Sequence, residues 1–201
     1  KYSYPTKDSL ITSYETELNN KAIYANYIFD INKYIRLNAS IRYDDFTYQF
    51  NNQLPTGTPS ANNHFTNWTP KLGINYNKKQ HGVYVNYSEG FVPPQITEIY
   101  NAIRVPFLLP QKFKNFEIGS WYQSKNIYAE VAIYQLNGTN EIISVRQTDG
   151  VNLNQNSGAT KHIGIEYQLR YQLNAQWELM INGTNTKHTY VNTLIKGTDV
   201  S

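Results

Sequence analysis

The amino-acid sequence predicts an all-β protein, a partial, antiparallel, up-and-down transmembrane β-barrel of about nine strands. Three observations predict it. Apolar and polar residues alternate strictly through stretches of about ten residues, the length a tilted membrane strand requires. The connections between these stretches switch between short and long. No run approaches the roughly 18 consecutive apolar residues of a membrane helix, and mean hydropathy is −0.59. A barrel with a wet interior tolerates such a value because its lumen face is polar.

The strands follow in order. A weak one near Leu10–Leu18 is followed, after a short link at Asn19–Lys21, by Ile23, Ala25, Tyr27 and Phe29 opposing Tyr24, Asn26 and Asp30. Ile35, Leu37, Ala39, Ile41 and Tyr43 oppose Arg36, Asn38, Ser40, Arg42 and Asp44. Leu72, Ile74 and Tyr76 oppose Lys71, Gly73 and Asn75, and Val83, Val85 and Tyr87 oppose Tyr84, Asn86 and Ser88. Phe116 and Ile118 oppose Glu117 and Gly119; Ile127, Ala129, Val131 and Ile133 oppose Tyr128, Glu130 and Tyr134. Ile163, Ile165, Tyr167, Leu169 and Tyr171 oppose His162, Gly164, Glu166, Gln168, Arg170 and Gln172, and Trp177, Leu179 and Ile181 oppose Glu178 and Asn182. A period of two means a strand, because successive side chains point to opposite faces.

Short polar turns fall near Asp30–Lys33, Asn77–Gln80, Gln123–Asn126 and Asn174–Gln176, and long loops cover roughly Phe46–Asn67, Glu89–Lys114 and Gln147–Gly158. The alternation gathers the short turns at one end and the long loops at the other, as in outer-membrane barrels. The Asn19–Lys21 link breaks the pattern: its place demands a long connection. A soluble β-sandwich, a carbohydrate-binding or structural module, remains the alternative, since a half-buried sheet carries the same stripes.

Composition narrows the chemistry. The 201 residues include no cysteine, which excludes disulfides and thiolate metal sites. A net charge of +3 is spread over scattered Lys and Arg, so no nucleic-acid partner is expected. The 18 Tyr, 8 Phe and 3 Trp suit pleated surfaces and the aromatic girdles of membrane barrels. His64, His81, His162 and His188 sit in no metal-ligand spacing, and no metal or cofactor is expected. Asp44 and Asp45 are adjacent and therefore point apart, which excludes a facing acid–base pair. No nucleophile elbow or phosphate loop is present, and no catalytic residue is assigned. Asp149, Asn152, Asn154 and Asn156 do not match an EF-hand and read as a polar turn.

Several motifs carry a family resemblance. Tyr87-Ser88-Glu89-Gly90-Phe91-Val92-Pro93-Pro94 is followed by Thr97-Glu98-Ile99-Tyr100; Leu109-Pro110-Gln111-Lys112 leads into Phe116-Glu117-Ile118-Gly119. Asn156-Ser157-Gly158-Ala159 precedes Gly164-Ile165-Glu166, and Leu37 to Asp45 contains Ile41-Arg42-Tyr43-Asp44. In this order the set resembles the β-barrel of TonB-dependent outer-membrane receptors, with Gln111 where that family usually has Glu and Ser40 where Gly is common.

The resemblance implies a middle-to-late section of the C-terminal barrel over residues 1–201, with the plug domain and terminal strand outside it. It implies a bacterial outer-membrane receptor and not an enzyme. Its partners would be a scarce solute such as a ferric siderophore, outer-membrane lipid, and TonB acting through the plug. Ligand contacts are expected on the long loops, at His64, Phe65, Trp68, Phe91, Tyr100, Arg104 and Phe107, where loop-to-loop packing is the competing role. Arg36, Arg42, Lys71, Glu117, Glu130, Glu166 and Arg170 are expected to face the lumen and the plug. Glu117 and Glu166 are expected to pair with Lys or Arg on adjacent strands.

Overall fold

A computed structural model of the chain describes residues 12–100 and 104–191, together with short strand segments at 194–195 and 198–199. Eight antiparallel strands form one sheet in sequence order: β1 (Tyr14–Asp30), β2 (Ile35–Asn52), β3 (Ala61–Lys78), β4 (His81–Val92), β5 (Gln111–Gln123), β6 (Ile127–Arg146), β7 (Asn152–Gln172) and β8 (Glu178–Tyr190). One helical turn, α1 (Ile96–Ile99), lies between β4 and β5, and β9 (Leu194–Ile195) pairs with β10 (Thr198–Asp199). No helix among the described residues is long and apolar enough to cross a membrane.

The register carries the alternation across the whole sheet. Directly paired residues share a face, and one row runs Phe29, Leu37, Ile74, Val85, Ile118, Ile133, Ile165 from β1 to β7. These side chains meet no second sheet: Ile74 is 51% exposed and Ile133 53%. Unlike the inner face of a sandwich, this apolar face is uncovered among the described residues, so the soluble-sandwich alternative fails. The face is bounded by aromatics. Tyr43 packs on Trp68 with ring centroids 4.8 Å apart, and Tyr34 on Tyr76 at 6.3 Å. The paired positions Ile35/Tyr76 and Tyr43/Trp68 are eight residues apart, about 26 Å along a strand. On the outward face Lys21, Lys114, Lys161 and Lys187 then take over on the long-loop side.

The short turns are closed by their own polar side chains. Asn32 Oδ1 accepts the amides of Tyr34 and Ile35 at 2.8 and 3.1 Å, and Asn174 Oδ1 those of Gln176 and Trp177 at 2.9 and 3.0 Å. Ser124 Oγ accepts the Ile127 amide at 3.2 Å. Asn and Ser mimic a backbone turn in this way. The β3–β4 turn is only Lys79-Gln80, with Lys79 at φ 53°.

Two expectations about boundaries are corrected. The first link is no turn: Leu18 to Lys21 pair continuously with Tyr48 to Asp45, so β1 is one strand and the large sheet has eight. Leu10 lies outside the described residues. The long loops are also shorter than expected, because Phe46–Asn52, Ala61–Asn67 and Asn152–Gly158 belong to β2, β3 and β7. The cause is the same in each case. Beyond the apolar band the outward positions turn polar, as at Glu17, Asn19 and Lys21, while backbone pairing continues. Loss of apolar contrast marks where lipid would end, not where the strand ends.

Candidate functional site

The face opposite the apolar band carries the polar chemistry. By register Arg36, Arg42, Lys71, Glu117, Glu130, Glu166 and Arg170 all lie on it. Arg36 pairs with Asp30 at 2.6 Å, and Arg42 with Asp44 at 2.7 Å, where the Asp44 side chain is buried. Arg170 approaches Glu178 at 3.9 Å.

The expected pairing of Glu117 and Glu166 with Lys or Arg on adjacent strands is corrected. Glu117 lies across from Asn86 and Tyr134, and Glu166 across from Ala132 and Thr184, so no cation is in cross-strand reach. Their neighbour Glu130 takes tyrosine hydroxyls: Tyr84 donates to Oε1 at 3.1 Å and Tyr128 to Oε2 at 2.5 Å. The sheet therefore leaves Glu117 and Glu166 without a cross-strand cation among the described residues, while Arg170 lies diagonally across from Glu130 without forming an ion pair to it.

Glycines on this face admit the rings that build it. Tyr134 lies over its cross-strand neighbour Gly164, where a Cβ would come within 2.6 Å of Tyr134 Cζ, and its hydroxyl shares a 2.7 Å hydrogen bond with Thr186. Tyr84 covers Gly119 and Trp121 covers Gly82 in the same manner.

At the long-loop end the polar face becomes aromatic. Phe46, Tyr48 and Phe50 continue the lumen-side alternation of Asp44, and Phe46 pairs with Phe65 on β3. The connection after β4 folds back over them. Ile99 is fully buried among Tyr48, Phe50, Phe65, Tyr100 and Leu108. Phe50 and Tyr100 stack at 4.3 Å, and Tyr48 meets Phe65 edge-on at 5.5 Å. The turn of α1 closes with a capping box between Gln95 and Glu98. Polar pins hold the connection in place: Asn154 Nδ2 donates to Glu98 O at 2.8 Å and Tyr100 Oη to Asn63 Oδ1 at 2.5 Å. Asn156 takes the Leu109 amide at 2.7 Å and returns a bond to Leu109 O at 2.9 Å. Burial chiefly, then the nearby Tyr48, pushes the Tyr100 phenol above its ordinary pKa.

The expected ligand residues fall into three groups. Phe65 and Tyr100 are buried in the aromatic cluster, and Phe91 packs edge-on against Phe46 at 5.7 Å where β4 parts from β3 after Ser88. Arg104 and Phe107 lie on the folded-back connection. Arg104 bonds Asp149 of the β6–β7 loop at 3.0 Å, and Phe107 is 86% exposed. His64 and Trp68 face outward, away from the lumen: His64 bonds Asp45 at 3.1 Å and Trp68 packs on Tyr43. Sequence reasoning missed Phe46, Tyr48 and Phe50, whose alternation was legible but assigned to a loop. It also missed the pins at Asn154 and Asn156, whose amides are spent on the connection.

A family model described as TonB dependent receptor-like, beta-barrel matches residues 2–200. Among solved structures the chain is similar to the ferric-catecholate import receptor Fiu of E. coli K12, with 20% identity, a TM-score of 0.72, and coverage of 94% of this chain and 31% of that one. It is similar to the siderophore receptor PiuA of Acinetobacter baumannii, with 17% identity, a TM-score of 0.74, and coverage of 90% and 27%. It is also similar to the FrpB iron transporter of Neisseria meningitidis, with 15% identity, a TM-score of 0.74, and coverage of 95% and 29%. The chain spans less than a third of each receptor, and these likenesses show the fold.

Proposed function

Because the chain belongs to the TonB-dependent receptor β-barrel family, we propose that it forms part of the wall of an outer-membrane active-transport receptor whose cargo is a ferric siderophore. The observation that carries this reading is the division of one sheet into an uncovered apolar face and a polar face that ends in an aromatic, loop-covered rim. The apolar face suits lipid. The acidic patch at Glu117, Glu130 and Glu166, half-buried to exposed on the lumen face, suits the basic side chains of a plug, which would cover these carboxylates and pair with them. Arg104 and Phe107 suit an anionic, flat ferric chelate: the guanidinium supplies directed charge and the exposed ring supplies contact area. Phe65, Phe91 and Tyr100 act as the support beneath them. TonB would act on the plug, and no covalent step is required.

Uptake of radio-iron chelates by cells carrying the whole receptor tests the proposal. Accumulation should require TonB and the proton gradient, and R104A/F107A should raise the half-saturating concentration about ten-fold or more. TonB-independent uptake would overturn the active-transport reading. TonB-dependent uptake of another solute alone would overturn the siderophore.

A further inference from the structure

His162 and His188 are far apart in sequence but directly opposite in the β7–β8 ladder, on the lumen side. Their rings meet edge to face with centroids 4.6 Å apart, and their Nδ1 atoms are in hydrogen-bond contact. Two imidazole nitrogens can touch in this way only if one is bare and the other carries a proton. The surroundings decide which is bare. His162 Nε2 lies 3.0 Å from Thr160 Oγ1, and the Thr160 hydroxyl donates to the Glu141 carboxylate. With its proton committed to Glu141, Thr160 accepts from Nε2–H. His162 therefore presents a bare Nδ1 towards His188.

The fold makes a specific adjustment to place Glu141 there. The β6–β7 register shifts between Gly138↔Thr160 and Glu141↔Gly158, and Asn140 within the shift takes φ 57°. This bulge brings Glu141 onto the face of Thr160. Bulges commonly re-aim a side chain next to a site. Gly138 leaves the space open, since a Cβ there would come within 2.8 Å of Thr160 Oγ1.

A hydroxyl and carboxylate that hold the far nitrogen of a histidine are the outer-shell arrangement of metal-ligating imidazoles. From this we propose that His162 and His188 form a two-imidazole site on the lumen wall for a divalent transition-metal ion, with Cu²⁺ preferred over Ni²⁺ and Zn²⁺ by the usual order for nitrogen ligands. Metal–nitrogen bonds of about 2.0–2.1 Å need the two Nδ1 atoms about 3 Å apart. A small parting of the rings provides that, because the His188 side is exposed. On binding, the His188 proton moves from Nδ1 to Nε2. Leu136, across from His162 on β6, adds no ligand, and water from the lumen completes the coordination.

Cu²⁺ titration of the detergent-solubilised protein, read by calorimetry and electron paramagnetic resonance, tests the site. The unaltered protein should bind one ion with splitting from two nitrogens. H162A and H188A should each weaken binding at least ten-fold and remove the two-nitrogen pattern, and T160V should weaken it about ten-fold while keeping that pattern. An unchanged affinity and spectrum in H162A/H188A would overturn the proposal. Should a variant fail to assemble, the unaltered protein still decides: Cu²⁺ shielding both imidazoles from diethyl pyrocarbonate supports the site, and absence of shielding overturns it.

Discussion

Replacing Ile99 by alanine should loosen the connection over the lumen rim, making its opening more frequent, without unfolding the sheet. Ile99 is fully buried, and its side chain is the apolar anchor between α1 and the Tyr48, Phe50 and Phe65 rings. The substitution deletes three carbon groups at about 0.8 kcal/mol each, or about 2.4 kcal/mol before any cavity cost. That corresponds to an opening equilibrium about 50–100 times more favourable. The pins from Asn154 and Asn156 remain, at about 1 kcal/mol net for each hydrogen bond, and hold the connection near its place. Hydrogen exchange of peptides covering 93–110 measures the effect. The amides of Ile99 and Tyr100, which bond Gln95 O and Ile96 O at 3.1 and 2.9 Å, should lose protection by that factor while β5–β7 keep theirs. Unchanged protection in 93–110, or a loss spread equally through β5–β7, would refute the reasoning.

Three further outcomes follow from the same structure. Ile165→Arg should block membrane assembly, at a cost of about 2–4 kcal/mol near the bilayer midplane, whereas Gln168→Arg on the polar face should assemble. Heat-modifiable gel mobility of the two variants compares them, and equal damage would mean that the faces are reversed. Gly164→Val should force Tyr134 off its neighbour and break its bond to Thr186, costing about 1–3 kcal/mol in urea unfolding from liposomes. A midpoint equal to that of the unaltered protein would contradict the ring-over-glycine packing. For Tyr100 the folded state favours the neutral phenol, because its pKa is raised by burial. Its contribution is complete below the unfolded value of about 10 and is lost as pH climbs through the higher folded value. A spin label at Thr97 should therefore gain mobility only in that alkaline range, and earlier release near neutrality would contradict the assignment.

Alternation made the central segments of β2 and β7 readable, because within the band every second position is apolar and contrast is high. The same rule failed at Asn19–Lys21 and from Phe46 onward. Outside the band both faces can be polar, yet main-chain pairing needs no apolar contrast to continue. The lumen location of Arg36 or Glu130 follows from parity alone. The missing cation beside Glu117 does not, because it depends on which residue of the next strand lies opposite. That register is set by the turns that join the strands. The His162–His188 contact was hidden for the same reason. His64 and Trp68 show the converse: aromatic or titratable character near a loop says little until parity fixes the face, and both point outward.

The central claim is that the apolar row faces lipid and the Arg–Glu row faces water. Spin labels placed singly from Ile163 to Gln168 in the membrane-inserted receptor test it most directly. Collision with oxygen, which concentrates in lipid, should peak at residues 163, 165 and 167, and collision with a water-soluble nickel chelate at 164, 166 and 168. The opposite phase, or equal access at every position, would contradict the account.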